Sequence, residues 1–257
     1  MLPWFQWTTV HLGPIPIQVW GFFVALGMAV SLFILSKRVK ETTLSKEDIL
    51  DMALWMIVLG LLFSRIFHVV FYEPSYFLHH PGDVVKVWHG GLSSFGGAFG
   101  ALVGFFLSLL KIKKKGREVQ VLPLADLFAF ASLFGWIIGR IGCFMIHDHI
   151  GRPCPNCIFS IRMPDGTARL EMALLEIVSL LPLTILFLIQ RKKKLRPGWF
   201  MSLLFMYYGL LRFILDFFRA TDISGADIRY FGLTPGQYSA MIMLAIGLYF
   251  IGNRDRK

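Results

Sequence analysis

Charge is what this sequence has least of. Of its 257 residues only 16% are Asp, Glu, Lys or Arg, whereas 56% are hydrophobic and 25 are Phe. A soluble domain of this length carries far more charge, so the scarcity excludes a water-soluble fold. The mean hydropathy of +0.63 agrees. Residues 1–16 hold no Lys or Arg, and Pro3, Pro14 and Pro16 interrupt the stretch ahead of the first apolar run. A cleavable signal peptide needs a positive leading region, so the start does not read as one. An internal repeat, common in transporters, is also missing. No soluble partner domain can be separated out, and 1–257 reads as a single integral membrane domain.

What is present is a series of seven apolar runs: 17–36, 52–72, 92–110, 121–139, 170–190, 198–218 and 235–252. Each approaches the ~20 residues a spanning helix needs, which predicts an all-α membrane protein of seven transmembrane helices. Basic residues alternate by loop. Lys37, Arg38, Lys40 and Lys46 follow the first run; Lys111, Lys113, Lys114, Lys115 and Arg117 follow the third. Arg191, Lys192, Lys193, Lys194 and Arg196 follow the fifth, and Arg254, Arg256 and Lys257 end the chain. The second loop has only Lys86. Because basic loops stay in the cytoplasm, the N-terminus is expected outside and the C-terminus inside. The net charge of +10 is thereby mostly a topology signal. Each basic run is short and abuts a span, so the expected partner is the lipid bilayer and not nucleic acid. Trp4, Phe5 and Trp7 suit the interface between lipid and water, where the first residues are expected to lie as a short strand or amphipathic piece.

The densest chemistry lies at 139–152, which contains Gly139, Arg140, Gly142, Cys143, His147, Asp148, His149, Gly151 and Arg152. The segment closes an apolar run and predicts a catalytic or anion-binding rim at a membrane surface. Arg140 belongs with Arg65 in the second span and Arg212 in the sixth. At 1.5 Å per residue, Arg65 lies ~20 Å, Arg140 ~28 Å and Arg212 ~21 Å from the start of their spans, all in the outer half. Burying an arginine near a bilayer centre costs about 2.5–3.5 kcal/mol on the gentlest scale. Three at similar depth point to a shared anionic ligand, since the guanidinium fork suits phosphate. Local pairings compete with that reading. Asp216 stands four residues after Arg212, at salt-bridge spacing; Arg65 has Glu176 as a possible partner or can snorkel; Arg140 can mark the membrane boundary.

A second stretch, 88–97, reads Trp88-His89-Gly90-Gly91-Leu92-Ser93-Ser94-Phe95-Gly96-Gly97. Paired glycines and two serines can present backbone N–H groups to an oxyanion. Gly96, Gly100 and Gly104 recur every fourth residue, which at Gly100 and Gly104 predicts close helix packing. Finally, His147, His149, Cys154 and Cys157 form His-x-His followed by Cys-x-x-Cys. Zinc ligation, an oxidised cysteine pair on an outward loop, and a plain turn around Pro153 and Pro155 all fit. Residues 157–170 predict a hairpin turning at 164–167.

These motifs together resemble the bacterial prolipoprotein diacylglyceryl transferases. The resemblance rests on Trp88 to Gly97, on Gly139 to Arg152, on Tyr208-Gly209 with Arg212-Phe213, on the Arg65 to Tyr72 segment, and on the turn at 232–237. It implies transfer of the diacylglyceryl group of phosphatidylglycerol to the lipobox cysteine thiol of a prolipoprotein signal peptide, with glycerol phosphate released. It further implies the cytoplasmic (inner) membrane of a bacterium, and neither metal nor cofactor. Carried over by position, Arg140 and Arg212 are the essential arginines; because the family's usual candidate base is missing at Phe95, His147, His149 and Asp148 of the neighbouring loop are the candidate catalytic acid–base groups. Arg65, Gly90, Gly91, Ser93, Ser94, Gly96, Gly97, Gly151, Arg152, Tyr208 and Asp216 are the expected substrate-binding residues. A small extracytoplasmic subdomain at about 140–169 is expected to guide the peptide. The departures are Phe95, where the family often has histidine, Trp20 for a tyrosine, and Cys143 and Ile146 for asparagines. Asp148 and Asp216 stand where glutamate is common. The alternative from another class is a non-catalytic phospholipid-binding or lipid-transporting paralogue.

Overall fold

The computed structural model describes residues 1–86, 90–223 and 226–252. Trp88, His89, Arg254, Arg256 and Lys257 lie outside the described residues. Among the described residues, seven helices are long and apolar enough to cross a membrane: Val19–Glu41, Lys46–Phe71, Ser94–Lys114, Val121–Ile146, Met172–Gln190, Trp199–Phe218 and Pro235–Gly252. The all-α expectation is refined by five short strands outside these helices. The chain divides into two compact units, Leu35–Val121 and the remainder, Met1–Ile34 with Leu122–Lys257.

The smaller unit is a helical hairpin of α2 (Lys46–Phe71) and α4 (Ser94–Lys114), with the short α3 (Pro74–His79) and a 3-10 turn at Pro81–Val85 between them. Ser45 caps α2 by accepting from the Asp48 amide, so the helix starts earlier than the apolar run at 52. The fourfold glycine spacing works as expected. A Cβ on Gly104 would stand 2.8 Å from the Met56 Cα, and one on Gly100 2.8 Å from the Phe63 Cβ. Only hydrogen at these positions lets the two backbones approach this closely.

The larger unit holds α1 (Val19–Arg38) up to Ile34, α5 (Val121–Ile146), α6 (Met172–Gln190), α7 (Trp199–Leu215) and α8 (Pro235–Gly252). Phe130 and Leu133 of α5, Leu180, Leu183 and Phe187 of α6, and Phe200 of α7 form its buried core. At the Lys/Arg-rich end, Asp126 of α5 reaches across to the first turn of α7. Its carboxylate accepts from the amides of Gly198 at 2.7 Å, Trp199 at 3.1 Å and Met201 at 2.9 Å. This satisfies donors that a helix N-terminus leaves without partners inside the helix.

At the opposite end lie β1 (Thr9–Leu12) paired with β2 (Ile15–Gln18), and a three-stranded antiparallel sheet in the order β3 (Ile150–Pro153), β5 (Ala168–Glu171), β4 (Ser160–Arg162). The β4–β5 hairpin turns at Pro164 to Thr167, as the sequence predicts. Leu2 pairs in parallel with Ile161 and covers the β4 edge. The Trp7 amide donates to the Met145 carbonyl, at 2.9 Å, so the first residues are strapped across the end of α5.

Candidate active site

Trp136 and Arg140 stand one helical turn apart on α5; Tyr208 and Arg212 do the same on α7. That spacing puts each pair on one helix face. Between them, from α6, comes Glu176, the only charged residue of that helix. Its carboxylate is buried and accepts from Arg140 Nε at 2.8 Å, Trp136 Nε1 at 2.8 Å and the Tyr208 hydroxyl at 3.2 Å; Arg212 stands 3.7 Å away. A lone carboxylate inside an apolar span is costly unless cations hold it. Here it orients two guanidinium groups from two other helices. Arg140 gives Glu176 its Nε edge and stacks on Trp136, 5.1 Å from the ring centre. Its Nη1 nitrogen reaches the Cys143 sulfur, at 3.7 Å. The terminal edge of the guanidinium is the bidentate face a phosphate takes.

A second carboxylate extends the cluster. Asp216, fully buried, lies 3.1 Å from Arg212 and 3.0 Å from Arg219 Nε, and accepts the Thr234 hydroxyl. The spacing argument for Arg212 and Asp216 therefore holds. The 232–237 turn is built onto this carboxylate: a Cβ on Gly236 would stand 2.8 Å from Asp216 Oδ2. Arg219 continues the chain of ion pairs to Asp227.

The expected rim at 139–152 is corrected in its first half. Helix α5 continues to Ile146, because Ile141, Phe144, Met145 and Ile146 prolong the apolar run and Gly142 packs on α1. Arg140 and Cys143 are consequently helical residues, and the loop begins at His147. His147 and His149 both take left-handed backbone angles, φ 54° and 63°, uncommon away from glycine. They diverge. The His147 ring is fully buried, with Nδ1 2.8 Å from Glu171 and Nε2 on the Phe5 carbonyl, between the Trp4 and Phe5 rings. Burial raises the Glu171 carboxyl above its usual range, against the opposing pull of His147. His149 is part-exposed, 3.5 Å from Asp148. Burial and the Arg219 charge hold its imidazole below the usual range. Cys154 and Cys157 form a disulfide, which removes the zinc alternative for that pair.

The remaining expected residues take these places. Gly151 touches the sheet so closely that a Cβ would fall 2.7 Å from the Leu170 Cβ. Arg152 lies over the Phe218 ring at 4.5 Å. In the smaller unit, Arg65 is buried and its guanidinium is taken up by main-chain carbonyls. It donates to the carbonyls of Val84 at 2.8 Å, Asp83 at 2.6 Å, Gly90 at 2.7 Å and Gly91 at 2.9 Å. Ser93 caps α4 by accepting from the Gly96 amide, and its carbonyl accepts the Gly97 amide, while Ser94 opens the helix. Phe95 joins a ring ladder with Phe67 and Phe99. Sequence reasoning missed the central role of Glu176, and missed Glu171, Arg219 and Asp227. The available signal was a carboxylate alone in an apolar span, which needs a cation from another helix.

The sequence model for prolipoprotein diacylglyceryl transferase matches residues 8–252. The chain belongs to the prolipoprotein diacylglyceryl transferase family. Among its relatives is a phosphatidylglycerol–prolipoprotein diacylglyceryl transferase of Cereibacter sphaeroides, 34% identical over 233 residues, covering 80% of this chain and 77% of the relative. One of the same name from Azospirillum brasilense is 31% identical over 220 residues, covering 83% and 80%. Another, from Anaplasma marginale, is 26% identical over 250 residues, covering 94% and 85%. Membership makes this chain a multi-pass membrane transferase of lipoprotein biosynthesis. Arg140, Tyr208 and Arg212, the residues that the motif resemblance pointed to, all converge on the Glu176 carboxylate.

Proposed function

We propose that the chain transfers the diacylglyceryl group of phosphatidylglycerol to the lipobox cysteine of a prolipoprotein signal peptide, at the outer side of a bacterial inner membrane. The observation that carries this reading is the pair Arg140 and Arg212, held from two helices by the buried Glu176 in a chain of this family. On this reading the lipid phosphate sits against the two guanidinium groups. The substrate thiolate attacks the glyceryl carbon, a C–S bond forms, the C–O bond to phosphate breaks, and glycerol phosphate leaves with its charge stabilised by the arginines. The thiol proton passes to solvent. A free thiol has a pKa of ~8.5, and nearby cations favour its ionised form.

His147, Asp148 and His149 were the candidate acid–base groups. His147 has acceptors on both ring nitrogens, so its role here is to hold the first residues and β5 to the end of α5. Electrostatic activation by the arginines then carries the chemistry. Arg140→Lys and Arg212→Lys should each lower transfer at least ~100-fold, since lysine keeps the charge and loses the fork. His147→Gln should lower thermal stability, with the folded fraction retaining most of its rate. A collapse of at least ~100-fold for folded His147→Gln, the size of general-base catalysis, would overturn this assignment. One observation favours the second reading, a phospholipid-binding paralogue without catalysis: Phe95, where the family often has histidine, is a ring beside Phe67 and carries no acid–base group.

A further inference from the structure

Beside the arginine cluster, between the loop after α5 and the loop after α7, lies a cavity of about 270 Å³. No step above uses it. Its polar wall is Asp148, His149, Arg219 and Asp227, with His147 at its edge already held by Glu171 and the Phe5 carbonyl; Ile150 and Ile223 supply apolar cover. The Ala220 amide donates to the Ile150 carbonyl at 3.1 Å, and Gly151 pairs with Arg219, so the two loops are fastened to each other. The cavity joins the phosphate-binding groups through shared ion pairs: Arg212 to Asp216, Asp216 to Arg219, Arg219 to Asp227.

The signs on this wall choose among ligand classes. Two carboxylates, Asp148 and Asp227, disfavour an anion. Arg219, paired to Asp227, disfavours an ammonium group and already compensates part of the negative charge. A neutral ligand that donates and accepts hydrogen bonds fits both. Hydroxyl groups donate to Asp227 and to a neutral His149, and accept from Arg219, whose NH2 nitrogen has no hydrogen-bond partner among the described residues. Short carbon chains pack on Ile150 and Ile223.

We propose that this cavity seats the polyol headgroup of the donor lipid, with Asp227, Arg219 and His149 selecting a small hydroxylated alcohol on the phosphate. The inference rests on the phosphate-binding reading of Arg140 and Arg212, and it adds the residues that read what the phosphate carries. His149 becomes a specificity residue rather than a thiol base.

The test compares binding, not turnover, of the full chain in nanodiscs to phosphatidylglycerol and to phosphatidylmethanol. The two share the phosphodiester and its charge, and only the first has the polyol. The wild type should bind phosphatidylglycerol at least ~10-fold more tightly, the size of one to two hydrogen bonds to charged groups. Asp227→Asn, and separately Ile223→Trp, which fills the cavity without touching its charges, should remove that preference and leave phosphatidylmethanol binding unchanged. Soluble glycerol phosphate shares the headgroup chemistry and should bind far more weakly; affinity equal to the lipid's would overturn a lipid-borne ligand. Equal binding of both lipids by the wild type would overturn the headgroup seat and leave the phosphate reading standing. Preference that survives in both variants would place the seat elsewhere and overturn it as well. Binding of neither lipid would overturn the phosphate reading and this inference together.

Discussion

Glu176 shows how one residue sets the behaviour of its neighbours. It fixes the Nε edge of Arg140 and stands near Arg212, so two cations that would otherwise repel are held at one depth. The sequence signalled the arginines, because charges inside apolar runs are conspicuous, but the partner was legible only as a lone acid with several possible cations. The divergence of His147 and His149 was not legible at all. Positions two apart in a loop point apart once left-handed backbone angles intervene, and the His147 ring is held by Phe5 and Glu171, distant in sequence. A pH dependence follows for His149. Burial and Arg219 lower its pKa, so the folded site keeps it neutral down through pH 7. Protonation becomes possible only below the ordinary imidazole value of ~6.5, and would place a second cation beside Arg219. Titrating phosphatidylglycerol binding should therefore show a plateau from pH 8 to 7 and weakening at more acidic pH. His149→Gln should flatten the acid limb. Weakening between pH 8 and 7 would contradict the assigned shift.

At the level of elements, the seven spans and their order were readable because ~20-residue apolar runs have few alternatives in a bilayer. Their ends were less so. Helix α5 runs to Ile146 and α2 begins at Lys46, because caps and packing decide where a helix stops. The 164–167 turn was legible from its Pro-Asp-Gly-Thr chemistry, whereas Leu2 on Ile161 joins residues far apart in sequence. The link from Asp126 to α7 belongs to this scale. Three amides of the α7 start depend on one carboxylate. Asp126→Ala strands those donors, and each buried unsatisfied group costs about 1–3 kcal/mol. Unfolding of the purified variant in detergent should show a loss of several degrees in midpoint, with transfer per folded molecule unchanged. A midpoint equal to wild type would mean that water serves these amides equally well.

For the whole molecule, the alternation of basic loops in the sequence predicts which side of the membrane the site faces. In the larger unit the lysines and arginines at 191–196 follow the end of α6, whereas Glu176 and the cavity lie toward the other ends of the helices. Cysteine placed at 149 should react with an impermeant reagent added from outside to intact cells, and cysteine at 113 or 193 should not. The reverse pattern would turn the site toward the wrong compartment. The most direct measurement uses purified protein, phosphatidylglycerol and a lipobox peptide, with the peptide's mass as readout. The mechanism predicts a gain equal to one diacylglyceryl group on the cysteine, absent when that cysteine is serine and absent with Arg140→Lys. Protein that binds phosphatidylglycerol yet leaves the cysteine peptide at its original mass would contradict the transferase reading and favour a lipid-binding role.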